Sequence, residues 1–190
     1  MVGLGNPGPA YVAHRHTIGY HVVDELARRL AVRFSTPRGL RAQVAEARLG
    51  PPGAPDAVRL VLLKSRTYMN ETGCAVSRAL AYFKIAIERM VVVHDELDID
   101  PGQLRVKFGG GDNGHNGLRS IRTSLGTGDF YRVRIGVGRP PGRQDPADFL
   151  LTDFPAGSRD LIAVEIDRAA DAVESLLTLG LERTQNAFNS

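Results

Sequence analysis

The chain has 190 residues, of which 43% are hydrophobic and 24% are charged. This length and composition suit one ordinary globular domain with a sizeable core. No run approaches the ~18 consecutive apolar residues of a membrane span, and the start lacks the basic and apolar regions of a secretory signal, so we expect a cytoplasmic protein. The single cysteine, Cys74, excludes a disulfide framework and a thiolate metal cluster. Because Cys74 lies in a predicted helix, we interpret it as a small core or surface residue rather than a nucleophile.

The net charge of +3 is unevenly distributed along the chain. Residues 1–101 carry 13 basic and 10 acidic side chains, residues 102–143 carry 8 and 2, and residues 144–190 carry 3 and 9. The basic excess in the middle block favours a surface that faces a polyanion. The alternative is an ordinary solvated face of strands, formed by Arg105, Lys107, Arg132 and Arg134.

Predicted strands and helices alternate along the chain. A short strand at Val2 to Leu4 runs into a Gly/Pro loop, and a helix begins near Ile18, where apolar residues recur at helical spacing. Further strands are predicted at 42–49 (an edge strand), 58–64, 90–98, 104–108 and 130–138, with a turn at 51–56. Further helices are predicted at 71–83, 118–125 and 161–179. This order predicts a single α/β domain over residues 1–190, with a mixed, twisted β-sheet and helices on both faces.

The N-terminal stretch has glycines at the spacing GxGxxG, namely Gly3, Gly5 and Gly8. This spacing is typical of dinucleotide-binding folds when a helix opens within the motif. Pro7 and Pro9 stand where that helix would begin, and the next helical pattern starts only near Ile18. We therefore expect a match in spacing alone, in which the glycines and Pro7 form a tight turn that leaves Asn6 facing a crevice.

Polar residues gather in the loops after the predicted strands, where sites are usually built. Asp95 follows the apolar run 90–93, and a carboxylate at that place needs a partner, which a histidine would supply. A histidine oriented by a carboxylate, without a Ser or Cys nucleophile in an evident motif, suits attack by a water that the imidazole deprotonates. The alternatives are that Asp95 caps a turn or that 95–98 is a solvated acidic loop.

His14 and His16 stand two residues apart in an extended stretch. Their side chains should point to opposite sides, so only one of them can join a common site. The pair could also form half of a metal site, but no third ligand lies at a telling distance. We expect neither a metal nor a cofactor.

Residues 109–117 contain five glycines immediately before a predicted helix. Such a segment lets backbone N–H groups approach a phosphate or ribose, and Arg119, Arg122 and the helix N-terminus add positive charge. A flexible hairpin loop would also need glycines, but it would not need the Asn and His side chains among them. The pattern favours a binding loop.

Seven motifs occur in an order that resembles bacterial peptidyl-tRNA hydrolase: VGLGNPGPAY, RHTIG, TYMN, HDELD, GGGDNGHNGLRS, FYRVRIGVGRP and QNAFN. The resemblance runs from Val2 to about Asn189. It implies a monomeric α/β domain that cleaves the ester between a peptide and the 3′ end of tRNA, without a metal and without an obligate protein partner. The family usually carries several more residues before Val2, and it usually has Asn where Thr17 stands.

The resemblance also implies roles for individual residues. His16 would be the general base, Asp95 would keep it in its basic form, and Asn6 would complete the catalytic set. Contacts with the end of the tRNA would fall to Tyr11, Tyr68, Asn70 and Asn116. Either Asn70 or Asn116 could donate to the oxyanion, and the sequence does not choose between them.

Two other interpretations use the same residues. A non-catalytic RNA-binding protein would keep the basic block and lose the base, but both His16 and Asp95 are present. A nucleotide-processing enzyme would use the glycine-rich loops for phosphate and would bind a free nucleotide tightly.

Overall fold

A six-stranded sheet forms the centre of the computed structural model, which describes residues 1–51, 53–55 and 57–189. Within these residues the strands are β1 (Val2–Gly3), β2 (Ala42–Leu49), β3 (Val58–Ser65), β4 (Val91–Glu96), β5 (Leu104–Phe108) and β6 (Tyr131–Gly136). The strand order is β2-β3-β1-β4-β6-β5. The four central strands are parallel, and the two edge strands, β2 and β5, each run antiparallel to their neighbour. The predicted mixed sheet is confirmed.

Burial along the strands follows from their places in the sheet. All six residues of β4 are buried, as expected for a central parallel strand covered on both faces. In β2, by contrast, the exposed Gln43, Glu46 and Arg48 interrupt the buried positions, as expected at an edge. The sequence prediction of an edge strand at 42–49 is confirmed with the same bounds.

Helices cover both faces of the sheet, as predicted. They are α1 (Ile18–Arg29), α2 (Thr72–Phe83), α3 (Asn116–Leu125), α4 (Pro146–Leu150), α5 (Arg159–Leu179) and α6 (Leu181–Phe188). In one core, α1 and α5 pack against sheet side chains such as Leu62, Val91 and Val133. The other packs α2 and α3 on Leu63 and Val92 from the opposite face. Alternation along each strand thus supplies both cores.

The N-terminal glycines serve close packing and a turn rather than a nucleotide. A Cβ on Gly3 would lie 2.1 Å from the carbonyl oxygen of Gly19, so α1 crosses β1 at backbone contact. Gly8 has φ +109°, which favours glycine. The helix begins only at Ile18, ten residues further on. The expectation that GxGxxG is a match in spacing alone is confirmed.

Several helices differ from the sequence prediction. The five-residue α4 and the C-terminal α6 were not predicted, and α3 begins two residues earlier than the predicted Leu118. The predicted turn at 51–56 includes Pro52 and Asp56, which lie outside the described residues. Within the described part of the chain, none of the helices combines the length and apolar character needed to cross a membrane.

Candidate active site

Parallel strands bring the predicted polar residues to one edge of the sheet. Strands β1, β3 and β4 lie side by side and point in the same direction, so their carboxyl ends coincide. Asn6 follows β1 and Tyr68 follows β3. Asp95 is the last residue but one of β4. The sequence-based expectation of a site in the loops at one end of the sheet matches this arrangement.

A cleft of about 710 Å³ opens at this edge. Six of the seven predicted site residues line it: Asn6, Tyr11, His16, Tyr68, Asn70 and Asn116. The seventh, Asp95, lies behind His16 and is 1% exposed. Further lining residues come from α4 and the segment before it, including Asp145, Pro146 and Leu150. The structure therefore brings together predicted site residues that are up to 110 positions apart in the sequence, Asn6 and Asn116.

His16 and Asp95 form a buried hydrogen-bonded pair. The Nδ1 atom of His16 lies 2.9 Å from Oδ1 and 3.0 Å from Oδ2 of Asp95. An ionised carboxylate only accepts, so Nδ1 carries the proton and Nε2 keeps its lone pair. Because His16 lines the cleft, this nitrogen is the basic group available to a bound substrate. Neither alternative for Asp95, a turn cap or a solvated loop, fits this burial within β4.

Pairing raises the pKa of His16 and lowers that of Asp95, so it favours the charged form of each group. Burial lowers the pKa of His16, but the negative charge of Asp95 and its hydrogen bond outweigh burial and raise that pKa above its usual range. Burial likewise raises the pKa of Asp95, and the imidazoles of His16 and His115 more than offset it, which leaves that pKa well below its usual range. Asp95 is thus an anion at neutral pH despite its burial.

His14 faces away from this pair, as predicted, but the stretch is not extended as that prediction assumed. Its Nε2 lies 3.7 Å from Oδ1 of Asp153, and its ring stands edge-on to Tyr11 at 5.3 Å between centroids. The segment Arg15–Thr17 forms a single 3-10 turn that sends the next histidine, His16, into the interior. Only His16 of the two joins Asp95.

His115, which was not predicted as a site residue, is a second partner of Asp95. Its Nε2 lies 3.1 Å from Oδ1 of that carboxylate. Its Nδ1 accepts the backbone N–H groups of Gly117 at 3.1 Å and Leu118 at 3.4 Å and so caps α3. The cap requires an unprotonated Nδ1, so the proton lies on Nε2 and is donated to Asp95. The only sequence signal was a histidine immediately before a helix, within a loop already interpreted as binding.

A third imidazole, that of His94, packs against His115 and bonds to the main chain of Asp95. Its ring stands edge-on to His115 at 4.9 Å, and its Nδ1 lies 2.6 Å from the carbonyl oxygen of Asp95. Complete burial, and then the neighbouring His115, hold the pKa of His94 well below its usual range, so the ring is neutral.

His16, Asp95 and His115 also have the composition of a metal site, since their ligand atoms lie within 4.8 Å of one another. Their hydrogen bonds, however, do not suit binding of a metal ion. Because α3 occupies the lone pair on Nδ1 of His115, Nε2 carries a proton and has no lone pair for a metal ion. The donor set therefore suits hydrogen bonding around one carboxylate.

Asn6 presents a donor to the cleft. Its side-chain oxygen accepts the backbone N–H of Met69 at 2.8 Å, and this contact fixes the amide orientation because a flipped amide would oppose two donors. The amide nitrogen is left for the cleft, and Asn6 is 8% exposed. An amide side chain has both a donor and an acceptor, and in the structure the acceptor of Asn6 is used internally.

Comparisons with known proteins match this arrangement over the whole chain. The model of the family described as peptidyl-tRNA hydrolase matches residues 1–190. The chain is 54% identical to the peptidyl-tRNA hydrolase of Cutibacterium acnes over 194 residues, which cover 100% of this chain and 97% of that one. It is 52% identical to the peptidyl-tRNA hydrolase of Streptomyces coelicolor, with 100% and 94% covered. The chain belongs to the peptidyl-tRNA hydrolase family.

A solved structure of the family supports the fold. The crystal structure of peptidyl-tRNA hydrolase from Acinetobacter baumannii matches with a TM-score of 0.88 and 33% identity, over 100% of this chain and 93% of that one. Membership confirms the resemblance drawn from the seven motifs and the prediction of an ester hydrolase that acts in translation. The peptidyl-tRNA hydrolase family acts on peptidyl-tRNA, as predicted for this chain's substrate.

The glycine-rich loop of this peptidyl-tRNA hydrolase family member is held from beneath by a buried arginine. Arg132 is 1% exposed, and its guanidinium donates to the carbonyl oxygens of Gly111, of Gly110 at 2.5 Å and of Gly128 at 3.3 Å. Asn113 adds a second anchor, since its amide nitrogen lies 2.8 Å from the carboxylates of both Glu96 and Asp98. The loop is thus fixed rather than flexible.

The basic block is divided between internal and exposed groups. Arg132 is buried, so the sequence alternative of a solvated strand face is wrong for that residue. Arg134 pairs with Glu96 at 3.0 Å, and Arg122 pairs with Asp112 at 2.8 Å. Arg119 is different, because its side chain is 60% exposed and lies 3.9 Å from Asp112.

An open polar groove between α2 and α3 continues from the cleft. It is lined by Arg41, Asn70, Glu71, Cys74, Asn116, Arg119, Ser120, Thr123 and Ser124. Asn70 and Asn116 line both the groove and the cleft, so the two spaces join at these amides. Cys74 is half-buried at the groove wall, consistent with a small surface residue. Thr17 lines neither space and is buried, so it does not stand in for an amide at the cleft.

Arg15 ties helix α4 to the 3-10 turn Arg15–Thr17, which carries His16. The guanidinium donates to the carbonyl oxygens of Thr152 at 3.1 Å and Asp153 at 2.7 Å, and it lies over the ring of Phe149 at 4.2 Å. The backbone N–H of Arg15 also donates to Thr152 at 3.1 Å. One wall of the cleft is therefore fixed relative to the neighbouring His16.

Proposed function

We propose that this chain hydrolyses the ester between a peptide and the 3′ end of tRNA by direct attack of a water that His16 activates, without a metal or a covalent intermediate. The observation that carries the proposal is the buried pair of His16 and Asp95, with the free Nε2 of His16 at the cleft. A base oriented by a carboxylate is what an attacking water requires.

The proposed reaction uses one proton transfer in each direction. Nε2 of His16 takes a proton from the water as its oxygen attacks the ester carbonyl. Asp95 stabilises the imidazolium that forms, because its charge is fixed 2.9 Å away. When the tetrahedral intermediate collapses, the C–O bond to the ribose breaks and the imidazolium returns the proton to the leaving oxygen.

Asn116 is the better placed of the two candidate oxyanion donors. Its side-chain oxygen accepts from Arg119 at 3.4 Å, which leaves the amide N–H groups for the cleft. It is also the first residue of the ten-residue α3, where the helix dipole favours a developing negative charge. Asn70 lines the same junction without these two supports, and we assign it with Tyr11 and Tyr68 to binding of the tRNA end.

Asn6 is proposed to distinguish peptidyl-tRNA from aminoacyl-tRNA. Its amide nitrogen can donate to the carbonyl of the peptide group next to the ester. A free aminoacyl end has an ammonium group instead, so two donors would face each other. A site built around a hydrogen bond rejects an analogue that cannot complete it.

The tRNA is proposed to approach along the groove between α2 and α3. This groove reaches the cleft at Asn70 and Asn116 and carries Arg41 and Arg119. Contacts of this kind bind phosphates and carry little sequence information, which suits an enzyme that accepts many tRNAs. As the resemblance implies, we propose that the chain acts as a monomer over residues 1–190 with no obligate protein partner.

The proposal is tested by incubating the purified chain with N-acetyl-aminoacyl-tRNA in the presence of a chelator. We expect release of the N-acetyl amino acid at the same rate with and without chelator. Binding of tRNA without cleavage would support the RNA-binding alternative. Tight binding of a free nucleotide with no peptide dependence would support the nucleotide-processing alternative, and loss of activity with chelator would refute the metal-free reaction.

A further inference from the structure

Two imidazoles, those of His16 and His115, contact the carboxylate of Asp95, yet the proposed reaction uses only one of them. His16 occupies both carboxylate oxygens, at 2.9 and 3.0 Å. His115 shares Oδ1 with it at 3.1 Å, and the rings of His16 and His115 lie 4.7 Å apart. One oxygen atom therefore receives hydrogen bonds from two histidines.

His16 and His115 are not equivalent, because only His16 can take up a second proton without losing a hydrogen bond. A second proton on His115 would have to lie on Nδ1, and it would break the contacts with the N–H groups of Gly117 and Leu118. His16 has no such contact at Nε2, which faces the cleft. The first turn of α3 thus holds His115 as a neutral donor.

We infer that His115 is a positioning residue for the reaction, whose fixed Nε2–H holds the Asp95 carboxylate and limits the pull of that carboxylate on the His16 proton. The Nε2–H dipole of the neutral His115 ring places a partial positive charge beside the Asp95 anion and stabilises it. Without it, Asp95 would stabilise the imidazolium more strongly and leave less of His16 in its basic form at neutral pH.

The other charged and titratable groups around His16 do not replace this donor. His94 on β4 faces His115 and donates to the main chain of Asp95. The positive charge of Arg132 on β6 lowers the pKa of His94. Its guanidinium is hydrogen-bonded to Gly110 of the glycine-rich loop. Asp145, before α4, lines the cleft and caps α4 through the N–H of Ala147 at 2.7 Å.

This inference rests on the proposed function in assigning His16 as the base, but its test reads His16 directly. Two substitutions separate the two bonds of His115. His115→Asn keeps a side-chain acceptor that can cap α3, and it is too short to reach Asp95. His115→Gln places an amide N–H near the position of Nε2. The measurement is an NMR titration of the His16 ring in the free protein, together with the pH dependence of kcat/KM on N-acetyl-aminoacyl-tRNA.

In His115→Asn we expect the pKa of His16 to rise by about half a unit to one unit, since a neighbouring donor to its partner is lost. The acidic limb of kcat/KM should move by the same amount, and His115→Gln should keep both values close to wild type. An unchanged or lowered pKa of His16 in His115→Asn would overturn the inference, whatever happens to the rate. A shift of the His16 pKa without the matching limb would instead count against His16 as the base.

A measurement on the wild type covers the case in which neither variant folds. Nitrogen-15 chemical shifts of the His115 ring should show the proton on Nε2 and none on Nδ1 at neutral pH. A proton on Nδ1 would refute the assignment, because that tautomer cannot accept from α3 and donate to Asp95.

Discussion

The cluster around Asp95 and the groove between α2 and α3 meet at the same cleft, yet they are built in opposite ways. In the cluster, His16, Asp95 and His115 are all less than 10% exposed and are joined by hydrogen bonds of 2.9 to 3.1 Å. In the groove, Arg119 has a side chain that is 60% exposed, and Arg41 has one that is 53% exposed. The cluster is fixed before substrate arrives, whereas the groove is solvated.

This difference in exposure suits the buried cluster and the solvated groove to different roles. Charge interactions are strong and geometrically fixed where water is excluded, so the cluster suits the chemical step. Exposed arginines are screened and mobile, so they suit contacts that must accept many phosphate backbones. Changes in the cluster should therefore affect kcat and the pH profile, and changes in the groove should affect affinity and its dependence on salt.

The largest effect is expected for His16→Ala. Loss of the base should lower kcat by about 10³-fold or more, within or near the range of general-base catalysis, while tRNA binding is retained. Single-turnover hydrolysis of N-acetyl-aminoacyl-tRNA and filter binding would measure the two properties. His14→Ala is the matched control and should keep most of the turnover. If it loses as much as His16→Ala, the assignment of the base fails.

Asp95→Asn should lower kcat by a factor of order 10² or more, on the pattern of His–Asp pairs. An amide can donate to Nδ1 of His16, which would move the proton to Nε2 and remove the base. The negative charge that raises the pKa of His16 is also lost, so the acidic limb of the pH–rate profile should move to lower pH. A profile identical to that of the wild type would contradict the pairing.

Asn6→Ala should reduce the preference for peptidyl-tRNA, because one hydrogen bond to the peptide carbonyl is lost. The expected change is about 10-fold to 100-fold in the ratio of rates, the equivalent of ~1–3 kcal/mol. The test compares N-acetyl-aminoacyl-tRNA with free aminoacyl-tRNA in the wild type and the variant. Equal slowing on both substrates would make Asn6 a turn or general positioning residue.

Arg132→Met separates the internal part of the basic block from the exposed part. Two carbonyl oxygens of the glycine-rich loop and that of Gly128 would lose their donor, so the free energy of unfolding should fall by about 2 to 4 kcal/mol. Urea denaturation would measure it. A fully stable variant would show that the loop does not depend on this arginine.

The smallest effect is expected for Arg119→Gln. One phosphate contact fewer should reduce the slope of log affinity against log salt by about one unit or less, with kcat nearly unchanged. Binding of deacylated tRNA between low and moderate salt would give the slope. Arg159→Gln, on α5 and away from the groove, is the control and should leave the slope unchanged. An unchanged slope in Arg119→Gln would remove the groove from the tRNA path.

Much of the fold was predictable because it depends on local patterns. The periodicities placed β2 at Ala42–Leu49 and β5 at Leu104–Phe108 with the observed bounds, and α2 within one residue. Helix α4 was missed because five residues are too few for a periodic signal, and it forms from the Asp145 cap and its contacts with the turn Arg15–Thr17. Its place at the cleft wall could not be inferred.

The candidate site was predictable to the extent that each residue has its own motif. His16, Asp95 and Asn6 each lie in a motif of the resemblance, and they meet because parallel strands align their carboxyl ends. Two features were hidden. The use of the Asn6 oxygen by Met69 joins residues 63 positions apart, and the bond from His115 to Asp95 joins residues 20 apart with β5 between them in the chain.

By itself the sequence determined the mixed sheet, the helices on both faces, the family and six of the residues that line the cleft, because hydrophobic periodicity and motif order are local properties of the chain. The tertiary structure decided which atoms of those residues are free. It turned Arg132 inward to hold a loop, used the acceptor of Asn6, and placed His115 between α3 and Asp95. The physical reason is that a side chain has several hydrogen-bonding atoms, and only the packing of distant segments determines which of them already have a partner.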